Sequence, residues 1–420
     1  MISNLRSQFN SAFTEAAYAD LQALLAQECG GPIPFPVAET PVFVPKALLD
    51  EMAADGAALA GYLIADSQYL DAARSAIPRG YCVANETPLP HFLTADFALI
   101  RTPSGALAPR LVEIQAFPSV FAYQAQLCSA YRAAFHLPPS LGVFLGGLND
   151  ATYWDLLRQT VLGRYAPAEV VLAEIDPLHQ KTFPDFYLTS KRLGIPLVDI
   201  AAIEPIGDKL HYRDAAGRLR PIQRIYNRAI ADELIARNIH LPFDLDRPWA
   251  VEWAGHPNWY FLISKFSIPW LARTGKFPVV PPAVFLEDFL DGPGQGFLAA
   301  AGVPMPAADA PSRVYTDLLL KPLFSFAGKG IEFAPSHQRL ESIPEAERGA
   351  YLLQQKMRFE PTIETPFGMT QAEIRILYMW SDGGELTPAL SLVRLGRGKM
   401  MGVDHNKNQR WVGGSAAFYM

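Results

Sequence analysis

The segment DFALIRTPSGALAPRLVEIQAFPS is a predicted β-hairpin with one acidic residue in each strand. Its two apolar runs meet at Ser104-Gly105, which lies midway between Asp96 and Glu113. A turn at that point makes the runs adjacent strands and places the two carboxylates opposite each other. The two-residue period of a strand then puts Gln115 on the same face as Glu113. Facing carboxylates repel unless they are protonated or share a cation, and hard oxygen ligands suit Mg²⁺, so this hairpin is a candidate magnesium site.

The alternative is an exposed hairpin whose acids are solvated. A slip of one residue in the turn register would move every side chain of a strand to its other face, so the predicted face of the acids depends on that register. The glycine-containing segment LLLKPLFSFAGKGIEF supports the binding interpretation. An apolar strand ends at Lys321, and the loop after it contains Ser325, Gly328, Lys329 and Gly330. Glycines let backbone N–H groups approach anionic oxygens, and lysines add positive charge. The GxxxxGK[ST] spacing of a Walker A loop is absent, and a plain hairpin with a solvated lysine is the alternative.

Three later strands carry polar groups among apolar ones. AYLLQQKMRFEP is a strand followed by a bend, whose backbone can bind a purine edge while Leu and Met side chains pack on the ring. EIRILYMW and ALSLVRLGRG each place one arginine, Arg375 and Arg394, inside an apolar strand. A buried arginine is costly unless it meets an anion, and an internal salt bridge is the alternative for each. Two such arginines beside a glycine loop and a lysine favour a polyphosphate site.

Composition excludes several classes of protein. The 420 residues predict two or three packed lobes. Only 19% of residues are charged and the net charge is -6, which argues against disorder and against a nucleic-acid partner. We find no apolar run long enough for a membrane span and no signal peptide, so we expect no membrane partner. Three widely spaced cysteines fit a reducing compartment, and we expect a cytoplasmic protein.

The chain divides by pattern into four regions. Residues 1–90 are mostly helical, and 91–165 contain the hairpin and further helices. Residues 166–245 alternate strand, helix and strand, which predicts a small open α/β sheet. Residues 246–420 begin with helices and then contain mainly strands, namely YTDLLLKPL, GIEFA, AYLLQQKM, EIRILYMW, ALSLVRLG and MMGVD.

Taken together, these segments resemble the ATP-grasp superfamily in its circularly permuted form, the glutathionylspermidine synthetase-like type. An ordinary member has a strand lysine, a KP…G…G lysine, an adenine hinge, two arginine strands, an Asn…Gly-Gly stretch and an Asp…Glu-x-Asn metal segment. The corresponding segments here are LISKFSIPWL, LLLKPLFSFAGKG, LLQQKM, EIRILY, LVRLGRG and HNKNQRWVGGSAAF. The metal segment appears first instead, as DFALI…LVEIQAFPS, with Gln115 where Asn is usual. The resemblance covers roughly residues 90–420.

The resemblance implies an α+β, ATP-grasp fold in which two α/β subdomains clasp ATP, with a preceding small α/β substrate lobe and N-terminal helices. By region, this means a permuted metal-binding hairpin in 91–165, the lobe in 166–245 and the nucleotide-binding subdomains in 246–420. The implied ATP contacts are Lys265, Lys321, Ser325, Lys329, Gln355, Lys356 and Met357. The implied Mg²⁺ ligands are Asp96, Glu113 and Gln115. Arg375 and Arg394 then stabilise the charge on the transferring phosphoryl group.

The activity implied is that of an ATP- and Mg²⁺-dependent ligase that joins a carboxylate to an amine through an acylphosphate. Its substrates are small molecules or peptides, and the sequence identifies neither the acid nor the amine, nor the oligomeric state. A kinase-like phosphotransferase and a non-catalytic nucleotide-binding or scaffold protein are the two alternatives.

Two further features remain open at this point. Arg228 either reaches a substrate anion or forms a structural salt bridge with Asp232 or Glu233. The eight scattered histidines give no catalytic triad. His405 is interpreted as ordinary loop polarity, and its neighbour Asp404 is a metal ligand only if the permuted order is wrong.

Overall fold

The computed structural model describes residues 1–307, 310, 312–325, 328–401, 406 and 408–420. Asp404 and His405 lie outside the described residues. The α-helices are α1 (Ser3–Ala12), α2 (Glu15–Glu28), α3 (Lys46–Ala65), α4 (Ser67–Ser75), α5 (Phe121–Ala134), α6 (Asp150–Leu162), α7 (Phe183–Leu193), α8 (Ala231–Ala236), α9 (Trp259–Leu262), α10 (Ser267–Thr274), α11 (Leu286–Leu290), α12 (Pro293–Ala300), α13 (His337–Glu341) and α14 (Glu345–Arg348). The strands are β1 (Val42–Val44), β2 (Phe92–Arg101), β3 (Leu107–Gln115), β4 (Val170–Glu174), β5 (Leu197–Asp199), β6 (Glu204–Ile206), β7 (Lys209–Arg213), β8 (Leu219–Pro221), β9 (Arg224–Asn227), β10 (Glu252–Ala254), β11 (Ala283–Phe285), β12 (Leu318–Pro322), β13 (Glu332–Phe333), β14 (Tyr351–Gln355), β15 (Pro361–Thr365), β16 (Gly368–Met379), β17 (Thr387–Gly396) and β18 (Gly413–Tyr419). Short 3₁₀ turns occur at Pro167–Glu169, Pro177–His179 and Ile200–Ala202.

The largest sheet in the described part of the chain has the order β1-β18-β17-β16-β2-β3, with β15 paired to β16. Apolar residues such as Phe97, Ile374 and Val393 alternate along its strands and pack against α3 and α4. The opposite face is covered by α5 near β17 and β18, where Leu377 and Ala416 belong to a second core. The rest of that face carries charged side chains. The sheet therefore buries one face throughout and leaves part of the other for polar groups.

A four-stranded parallel sheet, β10-β9-β4-β5, lies in and just beyond the region where we expected a small α/β lobe. Every residue of β4 is buried, as is typical of an internal parallel strand. As predicted, α7 ends at Gly194, whose positive φ of 75° closes the helix. The chain leaves β4 for β5 on one side and later returns to β9 on the other. Ligands of open α/β sheets bind in the crevice at the carboxyl ends of strands at such a reversal.

The antiparallel sheet β11-β14-β12-β13 packs one face on α11, α12 and α13 through Leu320, Leu353 and their neighbours. Its opposite face carries Lys321, whose Nζ donates to the backbone oxygen of Val112 in the largest sheet at 3.4 Å. The two sheets are therefore in contact along the faces that bear polar groups. A small meander, β6-β7-β8, completes the described sheets.

The mixed α+β class is confirmed, but several strand predictions differ from the structure. β1 interrupts the helical N-terminal region and pairs in parallel with β18, so both ends of the chain enter one sheet. Neither β18 nor β11 was predicted as a strand. Met400 and Met401, at the start of the predicted strand MMGVD, are not in a strand, and 402–404 lie outside the described residues. Short strands and glycine-rich strands have weak local signals, so pairing partners decide them.

Within the described residues, no helix combines the length and the apolar character needed to cross a bilayer.

Candidate functional site

The predicted hairpin forms, but its register next to the turn is one residue away from the predicted one. Arg101 pairs with Leu107, whereas a two-residue turn at Ser104-Gly105 would pair it with Ala108. Asp96 pairs directly with Glu113, and Thr94 pairs with Gln115. The turn contains Gly105, whose φ of +84° is accessible to glycine at little cost. A β-bulge follows Asp96 and leaves Val112 outside the regular pairing, and this extra residue restores the predicted pairing of Asp96 with Glu113. The two acids therefore lie side by side on the face directed at the second sheet.

Asp96 is bound by two arginines, which lie on the next two strands of the sheet, β16 and β17. Arg375, directly opposite Asp96 in β16, donates Nε and Nη2 to its two oxygens at 2.5 and 2.6 Å. Arg394 of β17 donates to Oδ2 at 3.0 Å. Burial alone would raise the pKa of Asp96, which is only 2% exposed, but the two arginines lower it below its usual value. The internal salt bridge considered as an alternative for each arginine is therefore present.

Glu373 is a further member of this network that the sequence did not single out. It lies opposite Arg394 in the β16–β17 ladder, and the two side chains form a close ion pair. Burial raises the pKa of Glu373, while Asp96 and Glu373 together outweigh burial and raise the pKa of Arg394. Two buried acids thus compensate the two arginines, and all four side chains hold one another in place. The alternation Glu-x-Arg in the strand placed both groups on one face and was a usable signal.

Two lysines approach the same face from the other side. Lys321 is 3% exposed, and burial lowers its pKa to about 8, partly countered by Glu113. Lys265 is also buried, and its Nζ lies 3.7 Å from the Oε2 of Glu113. The structure therefore brings together both predicted lysines, both predicted arginines and both predicted acids. We call the seven side chains Asp96, Glu113, Lys265, Lys321, Glu373, Arg375 and Arg394 the charged cluster.

The glycine loop lies next to Lys265. The lysine Nζ donates to the backbone oxygen of Ser325 at 2.5 Å, and the Ser325 hydroxyl is buried without a hydrogen-bond partner among the described residues. Lys329 is exposed, and residues 326 and 327 lie outside the described residues. Gly328 has a φ of +72°, and a Cβ there would lie 2.3 Å from the Cε of Met400. The loop thus contacts the segment that follows β17.

The polar residue of β14 that faces the cluster is Gln354, one position before the predicted Gln355. Gln354 pairs with Leu319, two residues before Lys321 in β12, so Gln354 and Lys321 lie on the same face. Its side chain is completely buried, and neither atom of its amide has a hydrogen-bond partner in the described part of the chain. An unsatisfied buried amide costs about 1–3 kcal/mol and is a recurring mark of a ligand position. Gln354 is recognised as the inward-facing residue from the pairing of β14 with β12, and this pairing could not be predicted from the sequence alone.

The predicted hinge residues lie at the end of the same strand. Gln355 is half-buried on the opposite face, and Met357 is half-buried as well. The backbone N–H of Lys356 donates to the backbone oxygen of Asp317 at 2.7 Å. The Lys356 side chain is exposed. These three residues therefore surround the exit of β14, beside the face that bears Gln354.

The oxygen donors fit a Mg²⁺ ion in part. Both oxygens of Asp96 accept from arginines. Glu113 accepts no hydrogen bond from a described residue, and the nitrogens of Lys265 and Arg375 each lie 3.7 Å from its oxygens. Glu113 and the side-chain carbonyl of Gln115 thus fit an ion that takes its other ligands from phosphate and water. Among the described residues, no three His, Cys, Asp or Glu side chains converge on one metal position.

Arg228 lies at the carboxyl end of β9, in the crevice of the parallel sheet. Its Nη1 is 2.5 Å from the Oδ2 of Asp185, and both side chains are buried. Arg228 therefore forms a salt bridge, as one of the two alternatives predicted, but its partner is Asp185 and not Asp232 or Glu233. At the end of β4, burial raises the pKa of Glu174 to about 8. Two further acids that sequence reasoning did not single out, Asp185 and Glu174, thus border this crevice.

A cavity of about 870 Å³ opens at the opposite, amino-terminal ends of β9 and β10. Arg224 at its base contacts Glu252 at 3.1 Å and Asp382 at 2.9 Å. His91 Nε2 lies 2.8 Å from Asp382, and Arg164 pairs with Glu252. The charged groups of this cavity compensate one another, so the cavity offers no uncompensated charge to a ligand.

No protein-family model matches this chain, and no curated protein matches it in sequence. Among solved structures, the fold is similar to that of a glutathione synthetase-like effector (GSS30) from Globodera pallida in its apo form. The TM-score is 0.55 at 12% sequence identity, and the match covers 98% of this chain and 99% of that chain. At this identity the likeness concerns the fold, which the two proteins share along their whole lengths.

Proposed function

We propose that the protein is an ATP- and Mg²⁺-dependent carboxylate–amine ligase that forms an amide or peptide bond through an acylphosphate. The observation that carries the proposal is the charged cluster. Lys265 and Lys321 on one side face Glu113, Arg375 and Arg394 in the largest sheet. The fold of the glutathione synthetase-like neighbour supports it.

The cationic side chains and the polar face of β14 hold the nucleotide in this proposal. Lys265 and Lys321 neutralise phosphate oxygens, and the loop with Ser325 and Lys329 closes over the γ-phosphate. The base lies on β14, where the buried amide of Gln354 supplies a donor and an acceptor beside Gln355, Lys356 and Met357. Lys321 donates to the backbone oxygen of Val112 in the described structure, so in this proposal phosphate oxygens replace that hydrogen bond when ATP binds.

Glu113 and Gln115 are the side chains that would hold Mg²⁺. A bound Mg²⁺ supplies neutralisation of phosphate charge during phosphoryl transfer. Asp96 instead aligns Arg375 and Arg394 as the anion between them. In this assignment Glu113 and Gln115 of the predicted metal site would contact the ion, whereas Asp96 would orient the two arginines.

The reaction then has two steps. A substrate carboxylate oxygen attacks the γ-phosphorus, the bond to the β-phosphate bridging oxygen breaks, and ADP leaves. An amine attacks the acyl carbon of the resulting acylphosphate, and phosphate leaves with the bonding electron pair. Arg375 and Arg394 stabilise negative charge in both transition states. In this proposal the side chains of Ser325 and Lys329 help to exclude water, which would otherwise hydrolyse the acylphosphate.

Trapping with hydroxylamine tests the proposal. The protein is incubated with ATP, Mg²⁺, hydroxylamine and panels of carboxylic acids, and ADP and acyl hydroxamate are both measured. We expect ADP release that requires a carboxylate, with hydroxamate formed in equal amount. Lys321→Met should abolish both signals, whereas Lys209→Met, which changes an exposed lysine on β7, should leave them unchanged. A stable phosphorylated product with no requirement for an amine would identify a kinase-like enzyme instead.

A non-catalytic nucleotide-binding protein is the second candidate, and the pairing of Asp96 favours it. Both Asp96 oxygens are engaged by arginines, which leaves Glu113 as the single freely placed carboxylate of the predicted metal set. This candidate predicts calorimetric ATP binding without ADP release for any acid and amine in the panel. The ligase predicts turnover for at least one pair.

A further inference from the structure

Asp232 lies where the crevice of the parallel sheet meets the charged cluster. It belongs to α8, which begins four residues after the end of β9. Its Oδ2 accepts a hydrogen bond from the hydroxyl of Tyr260 at 2.7 Å. Tyr260 is buried in α9, and its ring meets Phe117 at a centroid distance of 5.7 Å. Phe117 follows Gln115 by two residues, so the Asp232–Tyr260 pair borders the end of the β2–β3 hairpin.

The charges that act on this pair belong to Lys265 and Glu113 of the charged cluster. Burial raises the pKa of Asp232, and the hydrogen bond from Tyr260 and the charge of Lys265 lower it in part. Burial, Asp232 and Glu113 all raise the pKa of Tyr260. The same Lys265 and Glu113 lie 3.7 Å apart in the cluster. Tyr260 and Lys265 are the titratable groups that act on Asp232 within the described structure.

Asp232 differs from Asp96 and Asp185 because its carboxylate accepts fewer hydrogen bonds from the described residues. Asp96 is bound by two arginines, and Asp185 is paired with Arg228. The Oε1 of Glu174 accepts from the backbone N–H of Ile175. Asp232 receives one hydrogen bond, from a neutral hydroxyl, and no cation lies within 4.0 Å of it among the described residues. One of its oxygens is therefore available to a ligand.

We propose that Asp232, oriented by Tyr260, accepts the proton that the amine substrate must lose before it attacks the acylphosphate. The inference rests on the proposed ligase function. Most aliphatic amines are protonated at neutral pH and have no lone pair for attack. One proton of the ammonium group passes to Asp232, and the nitrogen lone pair forms the C–N bond. The C–O bond to phosphate breaks, and the second proton leaves with the phosphate as HPO₄²⁻. A half-buried carboxylate with a raised pKa is a better base than a solvated one.

Two amines of similar size separate this role from a structural one. Methylamine is almost fully protonated at neutral pH, whereas hydroxylamine is largely unprotonated and needs no base. With a carboxylate that gives hydroxamate in the unmodified protein, Asp232→Asn should retain hydroxamate formation within about twofold. Formation of the methylamide should fall by roughly 10²- to 10⁴-fold, the range of general-base catalysis. The matched control is Glu233→Gln, since Glu233 is the next acid of α8 and binds Gln180 and Arg237 instead.

Tyr260→Phe provides a second measurement because it keeps the ring and removes the hydrogen bond to Asp232. It should reduce methylamide formation more than hydroxamate formation, and raising the pH should recover the methylamide rate as more free methylamine forms. Equal loss of both products in Asp232→Asn, or unchanged methylamide formation, would overturn the inference while leaving the ligase intact. Absence of hydroxamate in the unmodified protein would overturn the ligase and this inference together.

Discussion

Replacing Lys321 with methionine should make the unliganded protein more stable and abolish nucleotide binding. Burial lowers the pKa of this lysine from 10.5 to about 8. At 1.36 kcal/mol per pH unit, that difference corresponds to about 3 kcal/mol for keeping the ammonium group charged in the fold. Methionine fills a similar volume without a charge. Lys321→Met should therefore raise the free energy of unfolding at pH 7 by up to about 3 kcal/mol.

The pH dependence of stability provides the first assay. Between pH 8 and 10.5 the unfolded chain binds more protons at this residue than the folded protein does, so stability rises with pH across that window. Chemical denaturation at pH 7 and pH 9 should show this rise in the unmodified protein. The rise should be smaller in Lys321→Met and unchanged in Lys209→Met, whose lysine is exposed.

Proton uptake on ATP binding provides the second assay. Because burial lowers the pKa of Lys321 to about 8, part of the Lys321 population is neutral at pH 8, and phosphate oxygens beside the nitrogen restore the charge. Calorimetric titrations in buffers of different ionisation enthalpy should then show uptake of a fraction of a proton per ATP at pH 8, and the fraction should fall towards zero at pH 6. No uptake, together with an equal ATP affinity in Lys321→Met, would refute the assignment of this lysine to the phosphates.

Three other substitutions have distinct expected outcomes. Gln354→Leu should raise the free energy of unfolding by about 1–3 kcal/mol, measured by denaturation, because an unpartnered buried amide is removed, while ATP affinity falls. Asp96→Asn should lower the free energy of unfolding by about 3–5 kcal/mol, because Arg375 and Arg394 lose a buried partner, and equal stability in a melt would contradict that role. Glu113→Gln should reduce ADP release at limiting Mg²⁺ by at least roughly tenfold, with recovery at excess Mg²⁺. No dependence of the defect on Mg²⁺ would contradict the ligand role.

Local patterns predicted the hairpin and the parallel sheet well. The hairpin was predicted from its turn residues, but the pairing of Asp96 with Glu113 also depends on the β-bulge at Val112, which has no local signal. Gly194 marked the end of α7 before the next strand. These signals are contained in short stretches of chain and do not depend on distant partners.

The sequence alone did not predict which distant segments pair with each other. Gln355 was selected over Gln354 because the face of a strand residue depends on its register with β12, which lies more than 30 residues away. The strand β18 is rich in glycine and alanine, and it is defined by its neighbours: a Cβ on Gly413 would lie 2.4 Å from the Pro36 oxygen. The hydrogen bond from Tyr260 to Asp232 joins two helices and has no local signal either.

The partners within the charged cluster explain how it can accept a polyanion. Four cations and three acids leave one positive charge in excess when every group is ionised. Asp96 and Glu373 hold the arginines at hydrogen-bond distance, whereas Glu113 lies 3.7 Å from both Lys265 and Arg375 and binds neither closely. Glu113 is therefore the acid of the cluster that can change partner at least cost. If it turns to a divalent cation, Lys265 and Lys321 lose their neighbouring negative charge and become available to phosphate. Nucleotide and metal should then bind with positive coupling, which Glu113→Gln removes while the arginine network stays intact.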